Sequence, residues 1–244
     1  MTRFDPDSNS DHGKNHYKDV ADFMIEAILW DNDGLLVDSE TVFFEMTRRF
    51  FADAGLTIDE EFWGIEYLGN ARHSGELARE LGLAEELVRP LLDRRNAAFV
   101  ERLQQPVPLM PKVRETIEAL SGTVRLAVVT GSDRDKVMLM HAAHGLLDHF
   151  EVIVTSDEVK NPKPHPEPYF KAMELLGVEP ERCLAVEDSR RGLDSAVAAG
   201  LRCIAVPNAL TRVQRFDSAH AVEADVSGVL KHVNAGKCPA GGGW

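Results

Sequence analysis

The residues best suited to chemistry sit at the ends of short apolar runs. Ile25 to Trp30 leads into Trp30-Asp31-Asn32-Asp33-Gly34, two carboxylates two positions apart followed by a glycine. If the strand continued, both acids would point to one side; Gly34 permits a turn, so the two can take different roles. Arg125 to Val129 leads into Thr130-Gly131-Ser132, and Cys183 to Val186 into Glu187-Asp188-Ser189. Between them Lys163 stands in Lys163-Pro164-His165-Pro166-Glu167-Pro168-Tyr169, a loop whose prolines can hold an ammonium in a fixed place. Each motif alone has a bland reading: an acidic turn, a Thr-Gly-Ser cap, a solvated lysine, a Glu-Asp pair serving a helix dipole. Together they bring two acid pairs, a hydroxyl and a cation to one edge of one sheet, the edge where open α/β sheets place their ligands.

The elements that must hold these groups can be read from pattern. The runs 25–30, 125–129, 151–154, 183–186 and 202–206 are rich in Val, Ile and Leu and bounded by polar or turn residues, as strands buried on both faces require. Helical segments separate the later ones. Pro168 suits the first turn of a helix stopped by Gly177, and Ser189 suits the cap of a second helix ending at Gly200. The alternation predicts an α/β fold, a Rossmann-like doubly wound parallel sheet. The stretch 42–108 breaks the alternation: Phe43, Phe44, Met46, Phe50, Phe51, Leu77, Leu81, Leu87, Val88, Leu91 and Leu92 follow helical spacing with no convincing strand. It is far longer than a crossover needs and reads as an inserted all-helical cap domain. Pro106, Pro108 and Pro111 mark the return. The division is then 1–22 as a flexible lead-in, 23–41 and 109–232 as catalytic core, 42–108 as helical cap and 233–244 as a flexible tail.

Composition bounds the partners. Of 244 residues, 44% are hydrophobic and 27% charged, which suits a soluble globular protein, and 27 Lys and Arg against 40 Asp and Glu give a net charge of −13. A polyanion lacks the attraction that supplies most non-specific affinity for nucleic acid, so no nucleic-acid partner is expected. One small phosphorylated molecule remains compatible, because a local cation or metal can hold it. Cys183, Cys203 and Cys238 are too scattered for a disulfide framework or zinc site. No apolar leader and no span of membrane length is visible, so a cytoplasmic protein with no membrane contact is expected. His141, His144 and His149 lie in or after an amphipathic helix with no spacing that favours a metal site.

Taken in order and spacing, Asp31-Asn32-Asp33-Gly34, Thr130, Lys163 and Glu187-Asp188 resemble the four motifs of the haloacid dehalogenase superfamily. The resemblance is to its branch of small-metabolite phosphatases and hexose-phosphate mutases with a helical cap. Asp38-Ser39-Glu40 and the segment Gly192-Leu193 to Gly200 resemble it too, and about residues 25 to 230 are covered. Asn32 and Leu35 depart from it: the family more often has an apolar residue at the first and Thr or Val at the second. Leu35 should pack under the turn, whereas the sequence offers no reason for Asn32.

The resemblance implies a Mg2+-dependent phosphatase, acting on a small phosphorylated metabolite such as a sugar phosphate or phosphoglycolate. Asp31 would be the nucleophile that forms an aspartyl phosphate, and Asp33 the acid that protonates the leaving oxygen and later activates water. Mg2+ would be held by the Asp31 carboxylate, the Asp33 backbone carbonyl, Asp188 and Glu187. Lys163, the Thr130 hydroxyl and the backbone around Gly131 and Ser132 would stabilise the phosphoryl oxygens. Asp33 argues against dehalogenases and phosphonate hydrolases, which generally lack that acid. A mutase stays as the alternative, ranked second because Phe43 and Phe44 stand where that branch usually carries a histidine. A receiver-like phosphoacceptor or a non-catalytic binding protein ranks lower, since no motif acid is missing. Arg72, after Gly69-Asn70-Ala71, resembles the arginine that the mutase branch directs over the site; it either reads the substrate's far end or is a solvated surface residue. A monomer is expected.

Overall fold

The structure, a computed structural model, describes residues 24–234, so the expected lead-in 1–22 and nearly all of the expected tail lie outside the described residues. Six strands form one parallel sheet: β1 (Ala27–Trp30), β2 (Arg125–Val129), β3 (Val152–Val154), β4 (Cys183–Glu187), β5 (Arg202–Ala205) and β6 (Ala221–Val222), in the order β3-β2-β1-β4-β5-β6. The helices are α1 (Ser39–Asp53), α2 (Glu60–Phe62), α3 (Ser74–Glu80), α4 (Glu85–Leu103), α5 (Val113–Leu120), α6 (Arg134–His141), α7 (Glu167–Leu176), α8 (Arg190–Ala198) and α9 (Val229–Asn234). All five expected strand runs stand where the sequence puts them, with ends shifted by at most two residues and β4 running one further, to Glu187. The short β6 was not anticipated, and α9 takes in Val233 and Asn234, which the sequence reading assigned to the tail.

The period of two along each strand sorts the core into two layers. Ile28, Trp30, Leu126, Val128, Leu184, Val186 and Ile204 pack on the face covered by α5 and α9. Ala27, Leu29, Ala127, Val129, Cys183, Ala185 and Cys203 face α7 and α8. The second face carries small side chains at most positions, which lets the two helices lie close to the sheet. Gly177, at φ 63°, ends α7 as its position suggests, and the Ser189 side chain accepts from Gly192 N to cap α8.

Chain order reverses beside β1: β2 and β3 lie to one side and β4 to β6 to the other. Such a switch point leaves a crevice outside the carboxyl ends of β1 and β4, where Asp31 and Glu187-Asp188 emerge. From Ser39 to Leu103 every element is helical, including a π-helical turn at Trp63–Gly69, and this insert carries its own apolar cluster of Phe44, Phe51, Trp63, Leu68, Leu77 and Leu91. The two crossings between this insert and the sheet are zipped together, with Asp38 N donating to Pro108 O (2.9 Å) and Met110 N to Leu36 O (3.0 Å). A second tie is Gln214, whose amide donates to Gly64 O (2.7 Å) while its oxygen accepts from Arg190 N (2.7 Å).

Asn32 now has a reason. It is fully buried, its backbone oxygen accepts from the amides of Leu35, Leu36 and Val37, and its side-chain oxygen lies 2.6 Å from His141 Nε2 on α6. Leu35 is buried in the core beneath this turn, as anticipated. His141 must donate from Nε2, which leaves Nδ1 buried without a partner and with nowhere to hold a second proton. Burial, helped by His144, pushes its pKa down to about 4. A folded value below the unfolded 6.5 means that the unfolded chain binds more protons between those limits, so stability is lost as pH falls. His141→Gln keeps a donor but does not titrate. On going from pH 7 to pH 5 it should lose about 2 kcal/mol less stability than the wild-type chain in urea unfolding; equal losses would reject the assignment.

Candidate active site

The floor of the crevice is a buried ammonium between carboxylates. Lys163 Nζ donates to Asp31 Oδ1 (2.8 Å), Glu187 Oε1 (2.6 Å) and the Val129 carbonyl (2.8 Å), so all three of its protons are committed. Burial works against its charge, yet the attraction of Asp31 and Glu187 outweighs that and holds the ammonium above the usual lysine range. The Tyr169 hydroxyl also donates to Glu187 Oε1. Asp33 leaves the strand at the turn that Gly34 makes at φ 76°, and each of its oxygens receives a hydroxyl proton: Ser39 Oγ at 2.6 Å and Thr130 Oγ1 at 2.9 Å. Thr130 Oγ1 accepts in turn from Ser132 N (3.0 Å), so the hydroxyl orients Asp33 in this arrangement. The two acids of the first motif therefore have different partners, as the glycine between strand and loop allows.

Asp31, Glu187 and Asp188 bring carboxylate oxygens within 4.8 Å of one another, all three buried. Burial raises Asp31, against Lys163 and with added repulsion from Asp33; burial and then the charges of Asp31 and Glu187 raise Asp188; and burial carries Glu187 up to about 7 against Lys163. Glu187 Oε2 has no hydrogen-bond partner. Three hard oxygen donors around one ammonium, with an orphaned buried oxygen among them, fit a divalent cation. Asn208 supports the group by donating to Asp188 Oδ2 (2.7 Å) and the Gly34 carbonyl (3.0 Å).

Above the floor lies a cavity of about 850 Å³ whose walls come from both the sheet and the helical insert. Asp31, Asp33, Gly131, Ser132, Lys163, Glu187 and Asp188 reach it from the sheet side; Phe43, Tyr67, Arg95 and Phe99 reach it from the insert. Glu40 also faces it, its carboxyl pushed up to about 8 by burial and then by Asp33, with Arg191 opposing. Arg72 is not among the lining residues, though Ala71 and His73 beside it are: it pairs with Glu66 (3.0 Å) and with Glu80. The residue that the sequence left between two roles is thus placed in a surface ion-pair cluster. The three histidines are also spoken for, His141 by Asn32, His144 by the Val107 carbonyl and His149 by Ser121.

Residues 28–206 match the family model of the haloacid dehalogenase-like hydrolases. The chain belongs to that family. Among curated proteins, the hydrolase is 35% identical to protein CbbY of Rhodobacter capsulatus over 80% of this chain and 91% of the relative. It is 30% identical to a phosphorylated carbohydrates phosphatase of Thermotoga maritima over 86% and 100%. A crystal structure of a mutant CbbY from Rhodobacter sphaeroides, in complex with xylulose 1,5-bisphosphate, superposes with a TM-score of 0.67 at 31% identity, covering 84% of this chain and 96% of that one.

Several groups that complete the hydrolase site carry no mark of their role in the local sequence. Ser39 and Glu40 stand out only through the resemblance, and Tyr169 only as a member of the proline loop and of the helix that follows it. Asn208, Tyr67, Arg95 and Arg191 enter through contacts made across the fold. Gly192 is the one position whose type a close reader could have questioned, since a glycine in the first turn of a helix is unfavourable unless something crowds it. A Cβ there would stand 1.9 Å from Glu187 Oε2. Gly192→Ala should therefore displace Glu187 or α8 at a cost of about 1–3 kcal/mol. A melting temperature within a degree of the parent chain would show the crowding to be relieved at no cost.

Proposed function

We propose that this hydrolase is a Mg2+-dependent phosphatase of a small phosphorylated metabolite, a sugar phosphate or a phosphoglycolate-like compound. The observation that carries the reading is the division of labour between two acids on one turn: Asp31 bound to a lysine, Asp33 bound to two hydroxyls, and both facing one cavity. The phosphatase named among the relatives supports the reaction class. Asp31 attacks phosphorus through its carboxylate, and the ester oxygen departs with a proton from Asp33, leaving an aspartyl phosphate. Asp33 then takes a proton from water as that water attacks the phosphoryl group, releasing inorganic phosphate and restoring Asp31. Lys163 holds the Asp31 carboxylate in orientation and offers positive charge to the phosphoryl oxygens, with the amides at Gly131 and Ser132 nearby. Mg2+, held by Asp31, Asp188 and Glu187 with the Asp33 carbonyl, would offset the negative charge of the phosphate and the acids.

The insert 42–108 serves as a cap that shields this chemistry from bulk water, and one chain supplies both floor and roof, which supports a monomeric enzyme. Free buried Cys183 and Cys203 are compatible with a cytoplasmic setting. No helix among the described residues is long and apolar enough to cross a membrane. Phe43 lines the cavity at the position where a mutase would carry a histidine, which favours hydrolysis over phosphoryl return to the sugar.

Asp31→Asn should abolish phosphate release from every substrate while the chain stays folded. Asp33→Asn should lower kcat by roughly 10²- to 10⁴-fold for poor leaving groups, and much less for an aryl phosphate whose leaving oxygen needs no proton. Near-parental rates in either variant with a sugar phosphate would reject the assignment. Metal is read separately by thermal unfolding. Millimolar Mg2+ should raise the melting temperature of the parent chain and leave Asp188→Asn unmoved, since a ligand stabilises only the state that binds it. An identical rise in both would remove Asp188 from the metal site.

A further inference from the structure

The two acids of the first motif are held by different means. Asp31 is still tied into the sheet, its amide donating to the Val186 carbonyl (3.0 Å) and its carboxylate fixed by Lys163. Asp33 lies past the end of β1, in a turn, and its neighbours hold it instead. On one side Asn32, fully buried, gathers the amides of Leu35, Leu36 and Val37 on its backbone oxygen (3.3, 2.9 and 3.1 Å) and takes the His141 Nε2 proton on its side-chain oxygen (2.6 Å). On the other, the Gly34 carbonyl accepts from Asn208 (3.0 Å).

His141 is itself anchored. It stands in the last turn of α6, which follows closely on Thr130-Gly131-Ser132 and whose first turn is held by the Asp133 side chain accepting from Lys136 N (2.9 Å). Three residues further on, His144 donates from Nε2 to the Val107 carbonyl (2.6 Å), while Met140 packs among Val37, Phe99, Leu103 and Val107. The Asn32 amide nitrogen points at Met140 Sδ (3.7 Å). The imidazole thus reaches the turn from an element fixed at both ends. A hydrogen bond sets direction as well as distance, which apolar packing does not. Two apolar side chains would avoid the desolvation that this buried pair incurs, so what the pair adds over them is orientation. We propose that Asn32 and His141 are a positioning pair for Asp33: they set the turn that carries the general acid and base, and touch neither the substrate nor the reacting atoms. The inference rests on the reading of Asp33 as that acid and base. Asp31, secured by the sheet and by Lys163, depends on the pair far less, so its loss should fall on the step that needs the proton of Asp33.

The quantity to compare is kcat/KM on the full chain with Mg2+, for a sugar monophosphate that the parent chain turns over and for an aryl phosphate, whose leaving oxygen needs no proton. His141→Leu removes the donor with a side chain short enough to fit. It should lower kcat/KM by about tenfold or more for the sugar phosphate and by no more than about threefold for the aryl phosphate. Inhibition by inorganic phosphate, which reports binding alone, should change by less than about twofold. His141→Gln restores a donor and should recover most of the loss. The decisive variant joins Asn32→Leu to His141→Leu, because removing both partners leaves neither one buried and unpaired. The sugar-phosphate deficit should persist there although the chain melts higher than with either single replacement. A loss equal on both substrates, a His141→Gln chain as slow as His141→Leu, or a deficit that vanishes in the double variant makes the pair structural only and overturns the proposal. An Asp33→Asn chain that loses the same factor on both substrates overturns the reading of Asp33 instead.

Discussion

The buried contact of Lys163 with Asp31 and Glu187 is the constraint around which the molecule is organised. Withdrawing three charges from water costs several kcal/mol each, and their attraction repays it only when every remaining proton and lone pair is satisfied. The surroundings answer that demand almost group by group. The Val129 carbonyl takes the third ammonium proton, Tyr169 donates to Glu187, and Gly192 yields the space that a side chain would deny to Glu187. One oxygen of Glu187 and the charge of Asp188 remain over. The protein side of the site is thus short of positive charge, a condition under which three buried carboxylates fit a divalent cation.

Sheet topology decides that such a cluster can exist at all. Asp31, Thr130 and Glu187-Asp188 come from three different strands, and only a parallel arrangement brings their carboxyl ends to one edge. The strand order then sets β1 between β2 and β4, so Asp31 has the Thr130 hydroxyl on one side and Glu187-Asp188 on the other. Small residues on one sheet face complete the arrangement. They let α7 approach, and with it Tyr169, which reaches the acids from beneath.

What could be read in the sequence follows from how local each feature is. A strand buried on both faces announces itself in four to six residues, and so do the acids that follow it; Gly177 and Gly200 end helices through backbone conformations that few other residues adopt. The two-residue β6 has no such signature, because it is defined by backbone pairing to β5 alone. Asn32 could not be explained from its neighbours, since its partner His141 lies 109 positions away. Arg72 is the opposite case. Its place after a glycine turn leaves two roles open, and Glu66 and Glu80, both close in sequence, pair with it in a partly exposed cluster. The acids of the site were legible because their chemistry is local; the arginines facing the cavity were not, because an arginine on a helix carries no mark of which face will be enclosed.

The helical insert is joined to the core by both apolar and polar contacts. Phe99 and Leu103 of α4 pack with Val37, Val107 and Met140 in a buried cluster that reaches α6, and Leu210 on the sheet side joins the insert's own cluster. Polar ties add to these: the zipped crossings at Asp38 and Met110, the Ser39 hydroxyl on Asp33 and the bridging amide of Gln214. Gly64 lets the insert come close to the Leu210 carbonyl, where a Cβ would stand 2.1 Å from that oxygen. A backbone approach of this kind fixes where the insert lies over the carboxyl ends of the strands, and any side chain at position 64 would have to displace it.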